Sequence, residues 1–492
     1  HWDLDFSVVF ARGGFDLQVG NPPWVRPTVD LDALYSESDP WFSLAHKPTQ
    51  ATKKARREQW NEDTATRTTV FRGLGESVAT AAVLSDITRY PHLVGQQPDL
   101  YRGFTERTWG NTSGEGVTSL IHPESHFTEK KAAPLRRGAY LRLRRHWQFI
   151  NALMLFDIDD HVVYGVHVYG AANTKPHFAM AGRMYHPVTA EESLHHDGTG
   201  DLPGIKDPNY QWDLRPHRDR IQTVDESVLR VWHSILEDES VPFIESRMVY
   251  TVNTEAAAVL EKLAAAPRFR ELGLQFSAGW HESADKKAGY FDTGWAHPGS
   301  WDDVILQGPH LGVSTPMIKQ PNPTLKHNQD WSEADLEVMS SSFLPATGYQ
   351  PDRIEKPDYD LDYGYWGDEL ETTFYRVAWR KLAATTGYRT LYPAIIPPGA
   401  AHIDGVVSAA STRDVKVTTD AGAFASSIVA DFMIRATGAS NLRSGSFEGL
   451  PMTEESGYVT LLRSRFLRLN CLTEAYAPLW EEVVGEPWDV DT

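Results

Sequence analysis

A single cysteine in 492 residues sets the first limit on this chain. Cys471 alone supports neither a disulfide framework nor a cysteine zinc site, and it fits a reducing, cytoplasmic setting. No apolar run approaches the roughly 20 residues of a membrane span, and no signal-peptide pattern opens the chain, so no membrane partner is expected. A phosphate loop, a serine-centred elbow and a dinucleotide glycine fingerprint are all missing. Positive charge is short as well: 47 Lys and Arg stand against 66 Asp and Glu, a net −19. That balance excludes a uniformly basic nucleic-acid binder, because phosphate contacts need clustered cations. The length is too great for one core, and two to four domains are expected.

The cations that are present are gathered. Lys130, Lys131, Arg136, Arg137, Arg142, Arg144 and Arg145 fall between Glu129 and Trp147. Leu135 to Phe149 carries apolar residues at helical spacing with arginines on the other face, so these seven are candidates for contact with DNA phosphates. The shorter run Lys53-Lys54-Ala55-Arg56-Arg57 reads better as a solvated helix face. Acids collect elsewhere, at Asp358 to Asp362 and Asp368 to Glu371. A basic cleft on an acidic body holds double-stranded DNA while limiting indiscriminate adhesion.

Residues 1 to about 180 read as α/β, and the later half reads as mixed with much β. Phe15-Asp16-Leu17-Gln18-Val19-Gly20 is a short, mostly buried strand, followed directly by Asn21-Pro22-Pro23-Trp24. Proline after Asn21 holds it out of the helical region, and neither proline has an N–H, so the segment is stiff and rich in free acceptors. The Asn21 side-chain oxygen and a proline-flanked carbonyl suit an exocyclic amino group, and Trp24 offers a flat face for a planar ring. The plain alternative is a turn, since these residues dominate turns. A polar stretch to about residue 66 is too long for a plain connector and reads as a lid or insertion. Thr69 to Leu84 and Asp99 to Trp109 read as helices, Val117 to Ile121 as a buried strand, and His161 to Tyr169 as an alternating strand. His122 and His126 have the spacing of helical zinc ligands, but Pro123 between them points to a loop. His195-His196 lie in a polar stretch with no carboxylate at useful spacing, and His161 and His167 alternate on a strand, so no metal is expected.

The segment Asn21-Pro22-Pro23-Trp24, with its lead-in from His1 through Gly13-Gly14-Phe15-Asp16, resembles motif IV of adenine-specific DNA methyltransferases. The likeness is to large single-chain enzymes, type IIG-like and those of BREX/Pgl and DISARM phage defence. It continues in order through Asp99 to Trp109, Gly114-Glu115-Gly116 with the next strand, His122-Pro123-Glu124-Ser125-His126-Phe127, the Leu-Arg-rich stretch and the strand to Tyr169. The resemblance implies the C-terminal half of a Rossmann-like class I catalytic domain over 1–180, then a connector over 181–250. It further implies a mixed α+β target-recognition domain over 251–470 and the start of a helical segment over 471–492. It implies S-adenosyl-L-methionine as methyl donor, with the main binding motifs upstream of a chain that reads as a fragment, and an open sheet edge where earlier strands are missing. Double-stranded DNA and other defence subunits are the implied partners. Asn21, Pro22, Pro23 and Trp24 would handle a flipped adenine, with Tyr169 or Tyr164 as a second stacking aromatic or else packed in a sheet. A protein glutamine-N5 methyltransferase, which shares the clamp, and a non-catalytic DNA-binding or assembly subunit remain open alternatives.

Overall fold

The computed structural model describes residues 2–382, 387–438 and 441–489. His1 of the lead-in and residues 490–492 of the expected helical segment lie outside the described residues. The chain divides into two compact units, His1–Val259 and Leu260–Thr492.

The first unit is built on a six-stranded sheet of order β1-β2-β4-β3-β5-β6. Its strands are β1 (Phe15–Gly20), β2 (Thr112–Pro123), β3 (Leu143–Ile150), β4 (Val163–Tyr169), β5 (Phe178–Met184) and β6 (Gln222–Val224). β1 and β2 run parallel, as do β3 and β5, while β4 runs against both β2 and β3, and β6 against β5. The chain therefore leaves β1, β2, β3 and β5 at one common edge, the carboxyl edge. Ligands of open α/β sheets bind in the crevice outside such an edge. β1 is an end strand with no buried residue, Leu17 and Val19 being 63% and 75% exposed, which corrects the mostly buried strand expected there. Gln18 fixes β1 to its neighbour by donating to Thr112 Oγ1, Thr118 Oγ1 and the Thr108 carbonyl.

The polar stretch after Trp24 folds into helices Leu31–Ser36, Trp41–Leu44 and Gln50–Trp60, which close over Tyr35, Phe42 and Val70. Asp63 caps the next helix, Thr64–Leu84, through the Thr66 N–H. Glu226–Leu236 is a helix capped by Asp225. Two further expectations need correction. The helix expected over 135–149 ends at Arg142 and gives way to β3. That strand is buried on both faces, with His146 and Gln148 opposite Trp147 and Phe149, so it shows no apolar alternation and imitates a helical pattern. Residues 181–250 are not a connector either, because they finish β5, supply β6 and belong to the first unit, whose bounds run past 180 to Val259. The helix Thr254–Ala264 is capped by the Asn253 side chain, which accepts the Ala256 N–H.

The second unit carries a four-stranded antiparallel sheet, ordered Pro393–Ile396, Arg376–Arg380, Val406–Ala410 and Gln275–Ser277. Helices Val415–Ala425, Ile428–Thr437 and Ser456–Asn470 bury its core, where Trp379 stacks on Phe447 at 4.0 Å. The mixed α+β character expected here is present, although its later third is helical. No single helix among the described residues is long and apolar enough to cross a membrane.

Candidate active site at the carboxyl edge

Asn21-Pro22-Pro23-Trp24 leaves the carboxyl end of β1 with Asn21 exposed and Pro22 buried. The Trp24 indole N–H donates to the Ile121 carbonyl of β2 at 3.2 Å. Its ring centre lies 5.9 Å from both Tyr164, at the start of β4, and Phe156, in the loop after β3. Tyr164 in turn meets Phe156 edge-on at 5.0 Å and stacks on Phe149 at 5.7 Å. The structure thus brings together Trp24 and one of the two candidate stacking aromatics. Phe156, which sequence reading passed over, completes the group; its signal was an aromatic placed just beyond a strand end.

Tyr169 is a correction. It lies an odd number of residues from Tyr164, so its side chain is on the opposite face of β4. There it is buried, and its hydroxyl faces His122 Nε2 at 3.2 Å. It cannot present a face to a base beside Trp24.

The basic cluster separates into two kinds of residue. Arg136 is fully buried, and its guanidinium donates to the carbonyls of Glu245, His126 and Glu129. It holds the fold and cannot reach phosphate, which corrects its assignment. Arg142 lies over the Trp109 ring at 4.8 Å and donates to the Gly138 carbonyl. Arg144 donates to the carbonyls of Arg142, Leu143 and Ala171. Lys130, Lys131, Arg137 and Arg145 remain exposed, with Lys130 and Arg137 each 3.8 Å from an acid, Asp238 and Glu245. In the shorter run, Lys53 and Arg57 pair with Asp32, and Arg56 with Asp39, so those cations join helices rather than wait for DNA.

Behind the carboxyl edge lies a buried polar network on the face away from Trp24. His122, His146 and His167 come from β2, β3 and β4, and His126 from the short helix Ser125–Thr128 that follows β2; all four are fully buried. Burial holds His122 down at about 4 and His146 at about 3, and keeps His126 and His167 well below the ordinary imidazole value. His122 and His167 stack at 3.8 Å, which requires Gly165 beside them, since a Cβ there would sit 2.5 Å from the His167 ring. Glu124, the first carboxylate past β2, is also buried, and burial pushes its carboxyl up to about 7. Gln148 donates to both of its oxygens, at 2.8 and 2.9 Å, and the Tyr250 hydroxyl hydrogen-bonds it. The Gln148 oxygen accepts the N–H of Arg183, a residue in the left-handed region (φ 53°). Glu124 and Tyr250 were missed in the sequence, where nothing links positions so far apart. Asp159, Asp160 and His161 stand exposed in the turn before β4, their ligand atoms within 4.8 Å of one another.

Gly13 and Gly14, both at positive φ, turn the chain into β1, and a Cβ on Gly14 would meet the Asn111 carbonyl at 2.5 Å. In the second unit, a cleft of about 550 Å³ is lined by Glu282, Gln307, Lys326, Asn328, Tyr349 and Arg380 among others.

No family profile and no curated protein sequence matches the chain. Among solved structures, it is similar to the type IIL restriction-modification enzyme MmeI in complex with DNA. The identity there is 6%, over 99% of this chain and 52% of that one, with a TM-score of 0.35. It is also similar to the type IIG restriction endonuclease BpuSI, at 8% identity over 80% of this chain and 46% of that one, with a TM-score of 0.27. A third is the type I restriction-modification methyltransferase subunit from Streptococcus thermophilus, at 10% identity over 21% and 23% of the two chains, with a TM-score of 0.18. Scores this low do not establish a common fold. The chain spans between about a quarter and about half the length of these structures.

Proposed function

We propose that this chain carries the base-handling part of an adenine-N6 DNA methyltransferase, serving a restriction-modification or phage-defence system. The observation that carries this reading is the placement of Asn21-Pro22-Pro23-Trp24 at the carboxyl edge, with Trp24 fixed to Ile121 and set against Tyr164 and Phe156. The methyl donor, S-adenosyl-L-methionine, is a co-substrate that brings an already activated methyl group. The exposed Asn21 oxygen and the Pro22 carbonyl accept the two N–H groups of the adenine amine. Two acceptors at that nitrogen draw its lone pair out of conjugation with the ring, which makes it a nucleophile. Trp24 gives the extruded base a surface to stack on, replacing the neighbours it left in the duplex. Lys130, Lys131, Arg137 and Arg145 are the cations of the cluster still available to phosphates, where they would set position rather than read sequence.

The test is Asn21→Ala in the full-length protein, with methyl transfer and duplex affinity measured separately. Loss of transfer with affinity kept within a few-fold supports the clamp. Wild-type turnover in that variant rules it out.

A further inference from the structure

The cleft of the second unit, about 550 Å³ in volume, falls within the roughly 300–1,000 Å³ of sites that hold one small molecule. On one side the segment 322–330 folds round the Asp330 carboxylate, which accepts from the Asn322 amide, the Thr324 hydroxyl and the Lys326 N–H. Lys326 and Asn328 are thereby brought to the rim. On the other side Gln307 lies over Gly348, where a Cβ would meet its side-chain oxygen at 2.9 Å. The buried His310 ring stands perpendicular to Trp331, with the ring centres 4.7 Å apart. Arg380 is anchored as well: its Nε and Nη2 donate to the Leu311 carbonyl, and its guanidinium lies over the Tyr392 ring at 4.2 Å.

These walls carry a surplus of donors. Lys326 Nζ, Arg380 Nη1, the Trp331 indole nitrogen and the amide nitrogens of Gln307 and Asn328 have no acceptor among the described residues. Both acids on the wall are already occupied, Asp330 by its own segment and Glu282 by the Tyr349 hydroxyl, so neither cation has an acid partner there. Donors without acceptors, two of them charged, suit a ligand with several anionic oxygens, as a phosphate has. The rest of the lining is apolar, from Pro309, Pro321, Leu325, Trp331 and Ile403. A bare phosphate ion would leave that lining uncovered, and an uncharged ring would leave the cations unmet. A nucleotide meets both needs, because it joins an anionic group to a planar ring that packs on an indole.

We propose that this cleft binds one nucleotide, with its phosphate on Lys326 and Arg380 and its base against Trp331 and the two prolines. Gln307 and Asn328 meet the edge of the base, since each amide can both donate and accept. The nucleotide is an unpaired one, because a base stacked and paired in a duplex offers its edges but not its faces. The site uses no residue of the first unit, and it does not depend on the methylation reading. The same chemistry comes from two sources, a free nucleotide or an unpaired nucleotide of a DNA strand.

Calorimetric titration of the full chain tests this, with AMP, GMP, adenosine, inorganic phosphate and a short DNA single strand as probes. AMP, GMP or the strand should bind saturably, with adenosine and phosphate about 10-fold weaker or more. Lys326→Ala, at an exposed side chain with no partner, should keep the wild-type melting temperature and weaken AMP and phosphate by about 10-fold. Trp331→Leu should weaken AMP by about 10-fold and leave phosphate unchanged. Strand binding that AMP displaces and Lys326→Ala weakens assigns the site to DNA. AMP binding with which the strand does not compete assigns it to a free nucleotide. A blunt duplex that competes as well as the single strand overturns the unpaired nucleotide. Nucleotide binding that neither variant weakens lies elsewhere on the chain and overturns the proposal. So does the absence of binding by AMP and GMP at about 5 mM together with absence of binding by the strand.

Discussion

The rings of Trp24 and Tyr164 stand 5.9 Å apart at the carboxyl edge, although 140 positions of sequence separate them. The pair is held by the Trp24 N–H on the Ile121 carbonyl, so the indole has one orientation rather than several. Trp24→Phe keeps an apolar ring but loses that bond, which should cost about 1 kcal/mol of stability. It should retain a measurable response from 2-aminopurine at the target position, whereas Trp24→Ala should abolish most of it. Equal fluorescence responses in both variants would show that the ring does not meet the base.

The arginines give a second, opposed pair of expectations. Arg136→Ala strands the carbonyls of His126, Glu129 and Glu245 in the interior, and should cost about 3 kcal/mol or more in urea denaturation. Replacing Lys131 and Arg145 should leave stability within about 0.5 kcal/mol. The same change should flatten the salt dependence of duplex binding by about one unit of slope for each phosphate no longer neutralised. An unchanged slope would return those residues to the solvated surface.

Much of this was legible in the sequence because it depends on neighbours in the chain. Asn21-Pro22-Pro23-Trp24 announces itself through proline stereochemistry. What failed depends on partners far away. β3 looked helical because its buried His146 and Gln148 are satisfied by Tyr250 and Glu124, which no spacing rule connects. Arg136 looked free for DNA phosphate because its acceptors are backbone carbonyls, and carbonyls leave no mark on a sequence. Tyr169 and Tyr164 were equally good candidates until the pleat put them on different faces.

The histidines make the first unit sensitive to acid. An imidazole held below its ordinary value of about 6.5 gains a proton on unfolding, so the fold loses stability as pH falls from there toward 4. His122, His126, His146 and His167 all act in this sense. Glu124 acts oppositely: raised to about 7, it favours the fold below its unfolded value and loses that contribution as pH rises through 7. Wild-type stability should therefore climb between pH 5 and 6.5. Glu124→Gln should climb more steeply, by about 1.4 kcal/mol per pH unit, the value of one proton. Urea denaturation at four pH values measures this, and equal slopes would mean that Glu124 is already ionised in the folded state.

The second unit should fold when expressed as residues 260–492. Its core is closed within its own sequence: Phe269, Trp379, Leu391, Phe424, Ile434 and Phe447 all lie past Leu260. Trp379 is the residue on which most depends. It is fully buried, stacks on Phe447 almost face to face, and donates its indole N–H to the Leu442 carbonyl at 2.8 Å. Trp379→Ala should cost about 3–5 kcal/mol through the cavity and the stranded carbonyl. Trp379→Phe should cost less, because part of the stack survives. A single cooperative thermal transition with near-ultraviolet dichroism in the isolated piece, lost in Trp379→Ala, is the expected result. A piece without fixed aromatic signals would mean that this core needs residues before Leu260 to close.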